Sequence, residues 1–375
     1  MEKTKERFLA LDIFRGMTIC FMIIVNTSGN GPTTFAPLRH AEWFGFTPTD
    51  LVFPSFLFAV GNAQSFATSK WAQMSSGAVL GKICRRTAIM FLLGYLMYWF
   101  PFFQVKDGAW SLLPIAHTRI FGVLQRIALT YCVASLMFYY WKKKTVLAVS
   151  AILLLLYWLL LYVFGDPGAC LTIDGNAVYR LDRFLFGDDH LYHGEGVPFD
   201  PEGLLSTISA IANVVAGFFV GKYLQRSKKD ILAILKVAIA GFLLVCIAFM
   251  WNYLFPISKK LWTSSFTLLT TGLDCLILVT VVYVVDLKNY TGKWINFFVV
   301  PGKNPLAVYL FSEIFVSVLF MIKMAGRTNF WHWLFVHCFS LLTPYWGAFL
   351  QAVVYMLLCW SLSWWMDKKK IYVRI

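Results

Sequence analysis

Apolar stretches of roughly 20 residues, each long enough to cross a ~30 Å hydrocarbon core as a helix, follow one another along this 375-residue chain. A soluble fold has nowhere to bury them, because 59% of the residues are hydrophobic and 14% are charged, against about 25% charged in an average soluble domain. The spacing predicts helices at about 8–29, 48–67, 83–103, 119–141, 145–164, 203–224, 231–255, 262–285, 295–321 and 345–366. The expected fold class is all-α: a polytopic integral membrane helical bundle of about ten transmembrane helices, one domain over 1–375, with membrane lipids as its solvent.

The first apolar run is too long for a signal peptide, lacks a small-residue cleavage site and carries Asp12 and Arg15 near its start. It is read as a permanent helix. The net charge of +14 does not point to nucleic acid, because Lys and Arg sit at the ends of apolar runs and form no aromatic-rich basic domain. They report orientation instead. One set of alternate segments holds 20 of them (Lys3, Lys5, Arg7; Lys70, Lys82, Arg85, Arg86; Lys142–Lys144; Lys222, Arg226, Lys228, Lys229; Lys288, Lys293; Lys368–Lys370, Arg374). The other set holds 8 (Arg39, Lys106, Arg180, Arg183, Lys259, Lys260, Lys323, Arg327), with Arg119 on a boundary. The richer set, and with it both termini, is expected in the cytoplasm. The eight cysteines form no CxxC pair and lie mostly in apolar runs, so neither a disulfide framework nor a metal site is expected. His190 and His193 have an HxxH spacing, but on a loop, which gives them no fixed helical face for zinc.

Two long connections, 30–47 and 165–202, fall on the outer side, and long ordered loops tend to be functional. His40 lies at the mouth of the first two helices and Asn26 near the outer end of the first. Both residue types serve proton transfer or orientation; a headgroup-level loop histidine and a helix-end asparagine fit the same spacing. Thr47-Pro48-Thr49-Asp50 has the form of a helix start, with Thr as cap, Pro at the first position and an acid at the third. Asp50 is therefore a capping residue, a partner that fixes the tautomer of His40, or both. Ionisable residues inside membrane helices are costly and become functional candidates, with internal ion pairing as the alternative. Here they are Asp12 and Arg15, three apart on one helix, then Arg126 beside Gln125, Asp274, and Lys303, Asn304 and Glu313.

Six ordered blocks resemble a known family: RFLALDIFRGMTICFMIIVN, RHAEWFGFTPTDLVFPSFLFAVGN, RIFGVLQRIALTY, FDPEGLLSTI, KKLWTSSFTLLTTG and PGKNPLAVYLFSEIF. They are similar to the transmembrane acetyltransferases of the heparan-α-glucosaminide N-acetyltransferase family and its bacterial relatives. The resemblance implies transfer of an acetyl group from cytoplasmic acetyl-CoA, a co-substrate, to the amino group of a glucosamine-type sugar on the outer side, with no metal. It identifies His40 as the active-site histidine and Asn26 as its companion; Asp50 joins them as a catalytic candidate through the bond it can make to His40. Arg126, Gln125, Asn304 and Arg15 are the candidates for the CoA site, and Glu313, His190, Asp200 and Glu202 for the acceptor. In one departure, Ser312 precedes that glutamate where the animal members, as aligned, have histidine. The chain reads as the minimal bacterial form, which implies a bacterial inner membrane; a homodimer is compatible with it. A transporter of a sugar or lipid-linked sugar, or an acyltransferase acting on a peptidoglycan fragment or other glycan, remains the alternative.

From Asp12 to Asn26 is 14 residues, or about 21 Å of helix at 1.5 Å per residue. Chemistry at His40 is therefore far from the cytosol, and a donor held at basic helix ends needs a polar internal channel. Two mechanisms fit: His40 as general base in a ternary complex, with Asn26 or a backbone amide at the oxyanion, or His40 itself acetylated first.

Overall fold

The computed structural model describes residues 8–106, 109–227, 230–324, 328–341 and 343–373. Lys3, Lys5, Arg7, Lys228, Lys229, Arg327 and Arg374 of the charge count lie outside the described residues. The chain forms α1 (Leu9–Asn26), α2 (Val52–Ala67), α3 (Ser76–Trp99), α4 (Val123–Tyr140), α5 (Lys143–Phe164), α6 (Ala177–Phe186), α7 (Thr207–Arg226), α8 (Ile231–Asn252), α9 (Ser264–Val282), α10 (Lys293–Lys303), α11 (Pro305–Met321), α12 (Phe330–Leu334) and α13 (Pro344–Lys368). α1, α4, α5, α7, α8, α9 and α13 are each long and apolar enough to cross a membrane, and α10 with α11 pass the same test together. α2 and α3 occupy the other two expected positions. α2 is only 16 residues long, although 3-10 turns at Pro48–Leu51 and Thr68–Gln73 extend it at both ends. α3 carries Lys82, Arg85 and Arg86 in its first half.

The helix expected at 295–321 is not continuous: α10 and α11 meet at Asn304 with a bend of 78°. The cause is local. Pro305 has no N–H to give and pushes the residue before it out of the helical region, and Asn304 sits at φ −131°, ψ 46°. Three small elements lie in segments expected as loops: α6 in the 165–202 connection, α12, and an antiparallel hairpin of β1 (Phe103–Lys106) and β2 (Ala109–Leu112). "Loop end" here denotes the end of the bundle bearing 27–47 and 165–202, and "basic end" the opposite one.

α1 is the hub, in contact with α2, α9, α10, α11 and α13, whereas α5 and α8 lie at the periphery and present most of their side chains to lipid. Close crossings are built on glycine. A Cβ at Gly16 would fall on the carbonyl oxygen of Phe298, and one at Gly302 on that of Asp12, so α1 and α10 approach backbone to backbone. Gly61 and Gly217 do the same for α2 and α7. We expect Gly16→Ala to part α1 from α10 and cost about 1–3 kcal/mol, read as a lowered melting temperature in detergent. Gly81→Ala is the control, since a Cβ there meets nothing within 4 Å, and an equal loss in both variants would contradict this account of the crossing.

Candidate active site

The segment after α1 folds back over the loop end. Arg39 donates from Nε to the carbonyl of Thr34 (2.7 Å) and from Nη2 to that of Pro32 (2.8 Å), closing two 3-10 turns into a compact unit. Thr47 Oγ1 donates to the carbonyl of Arg39 (2.7 Å) and Thr49 Oγ1 to that of Pro37 (3.1 Å), fastening this unit to the start of α2. His40 is thereby held over Asp50, with Nδ1 2.6 Å from Asp50 Oδ1.

Asp50 is fully buried and does both things its position allows. Its Oδ2 accepts from the backbone N–H of Thr47 (2.9 Å), as a third-position cap does, and also from Thr47 Oγ1 (3.1 Å) and the N–H of Ala41 (3.2 Å). Burial alone would raise this carboxyl; the bonds from His40 and the Thr47 backbone outweigh it and hold Asp50 below the ordinary carboxylate range. A carboxylate at Nδ1 places the proton of a neutral imidazole there and leaves Nε2 with its lone pair. The side chain of His40 is 40% exposed, so that lone pair is accessible from the loop end.

Lys259 faces the same ring, its Nζ 3.2 Å from His40 Nε2 and 3.5 Å from Nδ1. It belongs to the tight turn between α8 and α9, where Ile257, Ser258, Leu261 and Trp262 are buried. Burial lowers Lys259 below the ordinary lysine value, although Glu202 and Asp50 act in the opposite sense.

Asn26 and Glu313 form a second group, with Asn26 Nδ2 3.4 Å from Glu313 Oε1. Asn26 therefore looks across to α11 and does not close the end of its own helix. The preceding Ser312 donates to the carbonyl of Tyr309 (2.8 Å).

The 165–206 segment contributes an ion cluster. Arg119 donates to Asp200 from Nε (2.8 Å) and Nη2 (2.7 Å) and to Glu202 from Nη2 (2.6 Å), and lies over the rings of Tyr98 and Tyr192. Burial raises the carboxyl of Asp200 in spite of Arg119, whereas Arg119, Lys259 and Arg126 together hold Glu202 down against its own burial. Asp200 and Glu202 are thus engaged with Arg119. His190 Nδ1 lies 2.8 Å from the carbonyl of Thr118, which pins 118–120 to the loop. Arg126 is fully buried, donates to the carbonyls of Pro201 (2.9 Å) and Gly203 (3.3 Å) and to Ser206 Oγ, and lies over the ring of Trp262. Gln125 is also fully buried, and its amide has no hydrogen-bond partner among the described residues.

A cavity of about 2340 Å³ opens at the basic end. It is lined by Leu9, Asp12 and Arg15 on α1 and reaches Met22, one turn short of Asn26; on α11 it reaches Tyr309, one turn short of Glu313. Lys70, Lys82, Arg85, Arg86 and Lys293 give its mouth a positive balance, and Arg86 lies over the ring of Tyr131 in its wall. Of the four expected CoA residues, Arg15 lines this cavity, paired with Asp12 at 3.8 Å. Asn304 lies beside it between Lys303 and Pro305, and its side chain bonds the carbonyl of Ile371 (2.8 Å) and the N–H of Val373 (3.0 Å), docking the C-terminal segment. Arg126 and Gln125 are not among the lining residues. Sequence reasoning passed over Lys259, Arg85, Arg86 and Lys82, which it counted only as orientation charges. The signal for Lys259 was its place in KKLWTSSFTLLTTG.

Fold and site together define a polytopic helical membrane protein with an imidazole–carboxylate pair at one end of the bundle and a basic cavity that opens at the other and reaches Met22 and Tyr309. Residues 7–178, which include Asn26, His40 and Asp50, match the family described as heparan-alpha-glucosaminide N-acetyltransferase, catalytic. The chain is 29% identical over 364 residues to the heparan-alpha-glucosaminide N-acetyltransferase of Homo sapiens, an alignment that covers 82% of this chain and 53% of that protein. It is 30% identical over 381 aligned positions to that of Mus musculus, covering 86% and 56%. The chain is thus similar to these proteins over most of its own length and spans about half the length of the curated relatives it matches.

Proposed function

We propose that the chain is an acetyl-CoA-dependent N-acetyltransferase that passes an acetyl group from a donor held in the basic cavity to the amino group of a glucosamine-type sugar presented at His40. The observation that carries this reading is the His40–Asp50 pair at 2.6 Å, inside the stretch that matches the catalytic family. Nε2 is the base: it takes the proton from the acceptor nitrogen as that nitrogen attacks the thioester carbonyl. The C–N bond forms, the C–S bond breaks, and the thiolate leaves and is protonated. The Asn26 amide, oriented by Glu313, supplies a donor for the oxyanion.

The cavity supports the donor side of the reading. Its cations suit the phosphates of CoA, and Trp71, Tyr131 and Tyr290 in its wall suit an adenine ring. Its reach along α1 from Leu9 to Met22 is about 20 Å at 1.5 Å per residue, the length the sequence required of an internal channel. The bias of basic residues favours a cytoplasmic mouth for this cavity and the opposite side for His40.

Charge reversal at the mouth tests the donor site. Lys82→Glu with Arg85→Glu should raise the KM for acetyl-CoA at least about tenfold, since each lost contact to a charged group is worth about 1.5–3 kcal/mol, and leave the KM for the amino sugar within about twofold. An unchanged KM for acetyl-CoA would place the donor elsewhere.

A further inference from the structure

α13 ends in a turn that sends the chain back along the basic cavity. Lys370 takes the left-handed conformation (φ 57°), its N–H bonds to the carbonyl of Asp367 (3.0 Å), and the N–H of Ile371 bonds to that of Met366 (2.9 Å), the two bonds of a Schellman cap. The next residues lie beside the bend between α10 and α11. There the buried side chain of Asn304 holds them at two points: its Nδ2 donates to the carbonyl of Ile371 (2.8 Å), and its Oδ1 accepts from the N–H of Val373 (3.0 Å). The amide stands where the peptide of a neighbouring strand would stand, with one bond on each side of Tyr372. A second tie is ionic. Lys303 Nζ donates to both carboxylate oxygens of Asp367 (2.7 and 2.8 Å), and the Tyr372 hydroxyl donates to Oδ1 of the same acid (2.9 Å).

Tyr372 and Val373 line the basic cavity, together with Lys303 and Pro305. Their level in the bundle follows from α10, because Gly302 rests on the carbonyl of Asp12 in the first turn of α1, whereas the inner limit of the cavity on α1 is Met22. A donor whose acetyl end reaches towards His40 leaves its nucleotide at the level of Asp12. Tyr372 offers a ring there. A segment loose in water would have to be ordered as the donor binds, which lowers affinity; Asn304 orders it beforehand.

We propose that 371–373 is a strap that completes the donor site, with Asn304 as the positioning residue that holds it and the ring of Tyr372 as a packing surface for the donor's nucleotide. This rests on the acetyltransferase reading above. The bend does not depend on the clasp: Pro305 causes it, and the backbone bonds of Asn304, from its N–H to Pro301 and to its carbonyl from Val308, survive a change of side chain.

The test is calorimetric titration of the purified full chain in detergent with acetyl-CoA and with 3′-phospho-ADP, the nucleotide half of the donor. Tyr372→Ser should weaken both at least about fivefold, the low end of what one base–ring stack is worth. Tyr372→Phe, which keeps the ring, should stay within about twofold of wild type. Asn304→Leu, checked for folding by its melting curve, should weaken both ligands although it leaves the ring in place. In steady state the KM for acetyl-CoA should rise in Tyr372→Ser and Asn304→Leu, with the KM for the amino sugar within about twofold. Wild-type affinity for 3′-phospho-ADP in Tyr372→Ser, or an equal loss in Tyr372→Phe, would remove the ring from the site and overturn the proposal, and wild-type affinity in Asn304→Leu would remove the clasp. If the wild-type chain binds neither acetyl-CoA nor 3′-phospho-ADP, the acetyltransferase reading itself fails.

Discussion

His40→Ala should lower kcat/KM for acetyl transfer from acetyl-CoA to glucosamine about 10³-fold and leave the fold in place. General-base catalysis contributes 10²–10⁴-fold, and Asp50 amplifies it by fixing the ring at Nδ1 with a 2.6 Å bond. Stability should fall by about 1–3 kcal/mol, because the buried Oδ1 of Asp50 loses its 2.6 Å partner, while Oδ2 keeps the N–H groups of Thr47 and Ala41. Asp50→Asn is the companion variant. It preserves shape but turns an acceptor into an amide that can donate, so the ring loses its preferred tautomer, and kcat should fall at least about 10²-fold. Steady-state rates beside a melting curve check both variants. A well-folded His40→Ala protein with wild-type activity would remove His40 from the chemistry.

The second large effect is structural. Arg119→Ala should destabilise the protein by about 3–5 kcal/mol, the cost of leaving buried charge without its partner. Asp200 and Glu202 both lean on this one guanidinium, at 2.7 and 2.6 Å, and they begin the segment that leads into α7 and covers Arg126. Asp200→Asn in the Arg119→Ala background should recover part of the loss, because one of the two stranded charges is then gone. Arg119→Lys should recover less than wild type, since an ammonium cannot reproduce the two parallel bonds to Asp200. Denaturation in detergent across these variants measures the effect, and a loss below about 1 kcal/mol for Arg119→Ala would show the cluster to be solvated and weak.

Much of this architecture was legible in the sequence, because the bilayer imposes one rule on every span: about 20 apolar residues with internally satisfied backbone. α1, α5, α8 and α13 lie close to their expected positions for that reason. The break at Asn304 was missed although Pro301 and Pro305 flank it; the apolar run continues across the bend, and hydropathy does not register direction. α6 and the β1–β2 hairpin were missed because they lie outside the apolar runs. At the site, the Thr47-Pro48-Thr49-Asp50 pattern left capping and pairing with His40 open, and Asp50 makes both contacts, one through each carboxylate oxygen. The sequence marked Lys259 only as part of the KKLWTSSFTLLTTG block; its approach to His40, 219 residues away, comes from the folded turn. Arg126 illustrates the converse. Its charge inside a helix marked it as a ligand candidate; the carbonyls of Pro201 and Gly203 engage its Nη2, while Nε and Nη1 are buried with no hydrogen-bond partner among the described residues.

The central claim is that an acetyl group crosses the bundle from the basic cavity to His40. It is tested most directly in sealed proteoliposomes of known orientation, with labelled acetyl-CoA on one side only and glucosamine on the other. Labelled N-acetylglucosamine should appear on the His40 side when acetyl-CoA is supplied at the basic end, and should be absent with the His40→Ala protein. Movement of glucosamine without acetyl-CoA, with no labelled product from any amino-sugar acceptor, would contradict the account and make the chain a transporter.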